Sequence, residues 1–193
     1  MYERYFEHFK IKVPLTEEEQ EFIKKYLTVK KLRKRQYLLQ EGDVCKAVAF
    51  VERDVMRLYR VNEDSTEHIV AFALEGSFMA DLYSFLTQSP SQYHIDCLED
   101  TEVLQISKAN QDLLYEQVPK MERFFRILIQ NAYIASTNRI SSTLSKSARE
   151  RYDEFLVKYP GIGQRVPDHQ IASYLGLTPQ SLSRIRNKMA SKN

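Results

Sequence analysis

The sequence predicts an α+β fold: an N-terminal antiparallel β barrel or sandwich, a long helix, and a C-terminal pair of short helices. Three observations predict it. Between about residues 29 and 107, short runs rich in β-branched and aromatic residues alternate with turn signals. From about residue 109 the apolar spacing becomes helical and stays so. At 166–190, VPDHQIASYLGLTPQSLSRIRNKMA, two short helical patterns meet at a single glycine.

Taken in order, residues 15–27 open with Thr16 as a candidate N-cap. Glu19 completes a capping box, and Phe22, Ile23, Tyr26 and Leu27 recur at helical spacing. The strands that follow include Val48–Val51, Val55–Tyr59 and His68–Phe72, with turns at Glu41-Gly42-Asp43, Asn62–Ser65 and Glu75-Gly76-Ser77. Two more strands flank Glu99-Asp100 between Tyr93 and Ile106. Strands this short at near-regular spacing indicate a barrel or sandwich. After Pro119, a first-turn proline, Met121, Phe125, Leu128, Ala132 and Ala135 step by 4, 3, 4, 3. That stripe either lies on the barrel's own core or pairs with a second copy. Neighbouring Phe124, Ile127 and Ile134 widen it enough for both, and dimerisation is the favoured reading. Residues 136–159 continue as helix until Pro160-Gly161, and a domain boundary is placed near 136.

Composition sets limits. The chain of 193 residues carries 28 Lys+Arg and 26 Asp+Glu, a formal net charge of +2. No apolar run approaches the roughly 18–20 residues of a membrane span, so no membrane partner is expected. The N-terminus, MYERYFEHFK, alternates charges with aromatics and lacks the apolar core of a secretory signal, which predicts a cytoplasmic protein. Cys45 and Cys97 are too few and too dispersed for a disulfide scaffold or a structural zinc site, and read as reduced core thiols.

The near-neutral total hides an asymmetry. Residues 1–135 hold 18 Lys+Arg against 22 Asp+Glu, a net of −4, and residues 136–193 hold 10 against 4, a net of +6. Within the basic part, Asp168 can cap a first helix whose Ile171, Ala172 and Leu175 face inward. Gly176 supplies the left-handed residue that ends it, Leu177 plugs the corner, and Thr178-Pro179 opens the second helix. There Leu182, Ile185 and Met189 face the first helix, while Gln180, Ser181, Arg184 and Lys188 form the opposite arc. From Pro179 to Asn193 stand four basic residues and no acid, whereas a merely solvated face mixes signs. This is the layout of a helix-turn-helix that reads the major groove. Arg184 and Gln180 can read guanine and adenine edges, and Ser181, Ser183, Arg186, Lys188 and the helix start at Thr178 can hold phosphates. The competing reading is a ligand-sensing barrel whose helical tail binds a protein partner.

On Gln40-Glu41-Gly42-Asp43, Gly76–Leu82, Thr137-Asn138-Arg139-Ile140 and IASYLGLTPQSLSRIR, nearly the whole chain resembles the Crp/Fnr superfamily of bacterial transcription regulators. The resemblance implies a cyclic-nucleotide-binding-like jelly-roll sensor domain over 1–118, a dimerisation helix over 119–136 and a winged-helix-like DNA-binding domain over 137–193. It implies a homodimer on double-stranded DNA, with RNA polymerase as a further contact. It also places the main base-contacting arginine on Arg184 and two variable reading positions on Pro179 and Gln180. The family's wing after the recognition helix is truncated, since the chain ends at Asn193.

The effector site departs from that pattern. The ribose-cradling element of nucleotide-binding members falls on Ala80-Asp81-Leu82, and the phosphate-neutralising pair falls on Ser91-Gln92. Between Glu67 and Lys108 there is no Arg or Lys, and a buried phosphate without a cation carries a large desolvation cost. Cyclic AMP is therefore not expected, and any other effector is left unnamed. Two dispersed cysteines cannot hold an iron–sulfur cluster, and lone strand histidines such as His68 and His94 read as ordinary residues rather than haem ligands. No nucleophile motif, phosphate loop or metalloprotease motif occurs, so no enzyme is expected. Asp96, Glu99, Asp100 and Glu102 read as an outward-facing polar hairpin, and the basic run Lys30, Lys31, Arg33, Lys34, Arg35 as a solvated junction offset by Glu17, Glu18, Glu19 and Glu21.

Overall fold

The computed structural model describes residues 2–190. Among these are strands β1 (Thr28–Leu32), β2 (Tyr37–Leu39), β3 (Ala47–Arg53), β4 (Met56–Val61), β5 (Glu67–Ala73), β6 (Phe78–Met79), β7 (His94–Cys97) and β8 (Thr101–Ser107). The helices are α1 (Glu3–Lys12), α2 (Glu17–Lys24), α3 (Leu82–Thr87), α4 (Lys108–Gln117), α5 (Pro119–Ser145), α6 (Ala148–Lys158), α7 (Asp168–Leu175) and α8 (Pro179–Ala190). The strands form two four-stranded sheets, ordered β1-β8-β3-β6 and β2-β7-β4-β5, and the pairings with β8, β6 and β7 are antiparallel. None of the described helices is long and apolar enough to cross a membrane.

Two compact units result. One contains the residues up to Leu58 together with Phe72–Ala132; the other contains Tyr59–Ala71 together with the residues from Tyr133 on. The first is built around Phe50, Met56, Phe85, Ile95, Leu104 and Ile106, all but fully buried. Helix α1 closes it, an element that alternating charges and aromatics did not announce. Tyr5, Phe9 and Val13 step by four and are buried, so one helical face carries the apolar load. Phe9 stacks on Phe124 of α5 with centroids 3.8 Å apart, and Tyr5 meets Phe50 edge-on at 5.2 Å. The capping box of α2 forms as the sequence predicts, with Glu19 N–H donating to Thr16 Oγ1 at 3.2 Å and Thr16 N–H donating to Glu19 at 2.7 Å.

Charges are arranged differently from the sequence reading. Asp96 is not on an outward face: it is buried and accepts from Arg57 through Nε at 2.7 Å and Nη2 at 2.9 Å. The reason is the partner, since an arginine at a neighbouring buried strand position can satisfy both carboxylate oxygens in one planar contact. The basic junction is balanced by the β7–β8 hairpin rather than by the α2 glutamates. Lys31 pairs with Glu102 at 2.9 Å and the Lys34 N–H donates to Asp100, while Glu19 pairs with Lys120. Both cysteines are buried, and burial pushes the Cys97 thiol up to about 11, which keeps it protonated and unreactive.

Helix α5 runs unbroken through residue 136 to Ser145, because no Gly or Pro interrupts it after Pro119. A fresh cap then starts α6, where Ser147 and Glu150 form a capping box. Along α5, Met121, Phe124 and Phe125 are buried in the barrel unit, so Met121 and Phe125 are spent in the protomer's own core and are not free for a partner. Leu128 is half-buried, and Ala132 and Ala135 are exposed.

Two outcomes follow. Asp96→Asn removes the carboxylate charge that faces the buried Arg57 guanidinium, and urea unfolding should show a loss of about 3–5 kcal/mol. Replacing both Arg57 and Asp96 by leucine should recover most of it; an undiminished loss would show that the pair is not the cause. Glu52 on β3 keeps Oε1 buried without a hydrogen-bond partner, and burial, with the charge of Glu102 adding to it, raises its pKa. A folded pKa above the unfolded value means stability is present at low pH and lost as pH rises through the folded value. Glu52→Gln should therefore raise Tm at pH 8 and leave it unchanged near pH 4.

Candidate nucleic-acid interface and effector site

The helical pair is set by local chain chemistry. Pro167 occupies the position before α7, and Asp168 lies inside its first turn without making a capping bond. Asp168 is therefore not the cap; its carboxylate instead accepts from Arg186 Nη1 at 2.6 Å. Ile171, Ala172 and Leu175 are buried as their spacing predicts. Gly176 ends the helix at φ +64°, a backbone region that favours glycine, and the Leu177 N–H donates back to the Ala172 carbonyl at 2.9 Å. Thr178 Oγ1 accepts from the Ser181 N–H at 3.2 Å and donates to Ser181 Oγ at 2.9 Å, and Pro179 opens α8.

Leu182 is fully buried against α7, with Ile185 and Met189 half-buried beside it, so the inward face of α8 is as its spacing predicts. The opposite arc exposes Pro179, Gln180, Ser183, Arg184 and Lys188, with Ser181 half-buried. No carboxylate lies anywhere on α8. Arg186 is not part of that arc. Its Nε donates to Tyr152 Oη at 2.9 Å, its Nη1 reaches Asp168, and its guanidinium lies over the Tyr152 ring at 5.7 Å. One side chain thus ties α8 to both α6 and α7, a role that spacing alone does not reveal. Residues 191–193, where any wing would begin and where the last basic residue of the stretch stands, lie outside the described residues.

The β4–β5 hairpin belongs to the same unit. Ser173 Oγ donates to the Glu67 carbonyl at 2.8 Å and accepts from the Ile69 N–H at 3.0 Å. Arg139 Nη1 donates to the Val70 carbonyl at 3.0 Å, with its guanidinium 5.1 Å above the Tyr174 ring.

In the barrel unit, the two candidate effector elements meet. Asp81 caps α3 by accepting from the Ser84 N–H at 3.3 Å, and its other oxygen accepts from Ser91 Oγ at 2.7 Å. Both residues are buried, whereas Gln92 is exposed. Ala80 and Leu82 line a cleft of about 520 Å³ whose other walls include Val48, Phe78, Leu86 and Ile129. His94 is engaged by Glu41, and His68 by Asn62, each within its own turn region.

Helix α5 runs on from the barrel unit into a unit whose α7–α8 pair has the arrangement of a helix-turn-helix, with no acid on its second helix. The comparisons with known proteins agree. Residues 29–117 match the cyclic nucleotide-binding domain family. The chain is 25% identical over 167 residues to the fumarate and nitrate reduction regulatory protein of Vibrio cholerae, covering 81% of this chain and 66% of that protein. It is 27% identical over 163 residues to the nitrogen fixation regulation protein FixK of Bradyrhizobium diazoefficiens, covering 79% and 67%. The matched region thus spans about two thirds of these relatives. The fold is similar to that of FixK2 from Bradyrhizobium japonicum, with a TM-score of 0.73 and 19% identity over 86% of this chain and 85% of that one. It is also similar to the Thermus thermophilus catabolite activator protein, at 0.61 and 19% over 96% and 87%. Similarity of sequence and of fold thus both point toward the Crp/Fnr-type regulators that the sequence resembles.

Arg186→Ala should lower the stability of the C-terminal unit by about 1–2 kcal/mol, discounted for the partial exposure of its ion pair. Hydrogen exchange of α8 amides is the readout. A phosphate contact alone would leave that protection unchanged.

Proposed function

We propose that this chain is a DNA-binding transcription regulator, acting in the cytoplasm as a homodimer on a pseudo-palindromic site with half-sites about one helical turn apart. The observation that carries this reading is the exposed arc of α8, which presents Gln180, Ser183, Arg184 and Lys188 on a helix whose own sequence contains no acid. Arg184 reads guanine O6 and N7, and Gln180 reads an adjacent base edge. Pro179 takes the first reading position by apolar contact. Lys188, Ser183, Ser181 and the α8 N-terminus at Thr178 position the phosphates. Arg186 supports the arc from behind. RNA polymerase is the further partner on promoter DNA. The proposed domain division keeps a sensor over 1–118, a dimerisation helix from 119 and a DNA-binding part from 137.

Dimerisation rests on the part of α5 that the barrel leaves uncovered. Leu128, Ala132 and Ala135 remain from the original seam, and Ile129, Tyr133 and Ile134 extend it, exposed by 39%, 73% and 55%. Cyclic AMP is not the effector expected for the barrel. Where the resemblance puts the phosphate-neutralising pair, Ser91 is bonded to Asp81 and no Arg or Lys stands between Glu67 and Lys108 to meet an anion.

Selection of bound sites from a random duplex library, with and without cyclic nucleotides, tests this function; recovery of a palindromic site regardless of nucleotide is expected, and no enrichment overturns it. Arg184→Ala should cost about 1–3 kcal/mol on the selected site and relax preference at one base pair. Lys188→Ala should weaken all sequences alike and make the salt slope shallower by about one.

A further inference from the structure

The C-terminal unit holds a second concave site that base reading does not use. It is a cleft of about 440 Å³ formed by the end of α5, by α6 and by the end of α7, and no α8 residue lines it. Its walls carry four cations, Arg139, Lys146, Arg151 and Lys158, against one carboxylate, Glu154. That carboxylate is already engaged: Lys146 pairs with it, and Ser142 Oγ donates to it at 2.8 Å. Two of the other cations are held in place by one ring. Arg139 lies over Tyr174 at 5.1 Å, and Lys158 lies over it at 5.8 Å with Nζ 3.2 Å from its hydroxyl.

Arg151 is the unusual member. Its Nε is buried without a hydrogen-bond partner, and no ion pair or hydrogen bond engages its guanidinium. A buried guanidinium N–H without an acceptor is costly, and gathering like charges around it adds to the cost. The cost of gathering like charges falls if a polyanion occupies the cleft. Guanidinium groups match phosphate oxygens in planar, bidentate geometry, and Lys158 adds a point charge to the same anion. The volume falls within the about 300–1,000 Å³ typical of small-ligand sites.

We propose that this cleft binds a small phosphorylated molecule through a diphosphate-like group, making it an effector site in the DNA-binding unit, separate from the barrel. Arg151 supplies the central contact, Arg139 and Lys158 flank it, and Tyr174 fixes their spacing. A duplex backbone offers the same chemistry, but it lies across convex surfaces, and the recognition helix contributes nothing to this cleft.

The test titrates inorganic pyrophosphate into the full chain at fixed ionic strength, read by calorimetry and by Tm. Saturable binding of one pyrophosphate per chain is expected, weakened at least about tenfold by Arg151→Gln and by Lys158→Gln, the loss of a charge-assisted contact. Lys158 is exposed, so its variant keeps the test valid if Arg151→Gln does not fold, as judged by circular dichroism. Absence of saturation, or unchanged binding in a folded Arg151→Gln or Lys158→Gln variant, overturns the proposal. If instead Arg151→Gln makes the salt slope of duplex binding shallower by about one and pyrophosphate does not saturate, the cleft serves the DNA backbone and the proposal fails. None of these readouts requires a specific operator, so failure here is distinct from failure of the DNA-binding reading.

Discussion

Helix α5 carries more apolar surface than one chain can cover, and much of this molecule follows from that constraint. Its first turns give Met121, Phe124 and Phe125 to the barrel, where Phe124 stacks on Phe9 and Phe125 packs near Tyr115 and Phe78. After Leu128 the same helix continues with Ile129, Tyr133 and Ile134 largely in solvent. A contiguous apolar stripe of this kind on an otherwise charged surface marks an interaction site. A second copy of the helix covers it at the least expense, because a two-fold arrangement sets each stripe against its own equivalent. The two readings of the seam, core and dimer, are thus not rivals. Under the proposed dimer they divide the helix between them.

The outline of the fold was legible because periodicity reports burial directly. Period two marked the strands, the 3-and-4 spacing marked α5, and Thr16, Gly176 and Thr178-Pro179 marked ends by backbone chemistry that depends only on neighbours in sequence. What stayed hidden depends on residues far apart in the chain. Asp96 looked like one more turn acid until Arg57, 39 positions away, turned out to face it. Helix α1 was hidden for a different reason: three aromatics among charges fit a helix, a strand or a loop until Phe124 and Phe50 give them something to pack against.

The candidate DNA interface divides along the same line. Which arc of α8 faces outward was readable, because Leu182 at the centre of the inward stripe fixes the helix rotation. Which outward-capable residue serves the scaffold was not. Arg184 and Arg186 are two positions apart with the same side chain, yet only Arg186 finds Tyr152 and Asp168. The Tyr152 hydroxyl comes from α6, 34 positions away, and no local spacing rule connects them. An arginine clamp behind a recognition helix lets the exposed arginine act without also having to hold the fold.

The charge distribution differs between the two units. In the barrel unit the position expected to neutralise a phosphate holds Ser91, bonded to Asp81, and the neighbouring cleft is walled mainly by apolar side chains. In the other unit, cations crowd both the outer arc of α8 and the cleft beside Arg151, where one guanidinium nitrogen is left without an acceptor. The cleft proposed to take an anion is built from residues of α5, α6 and α7, with none from α8.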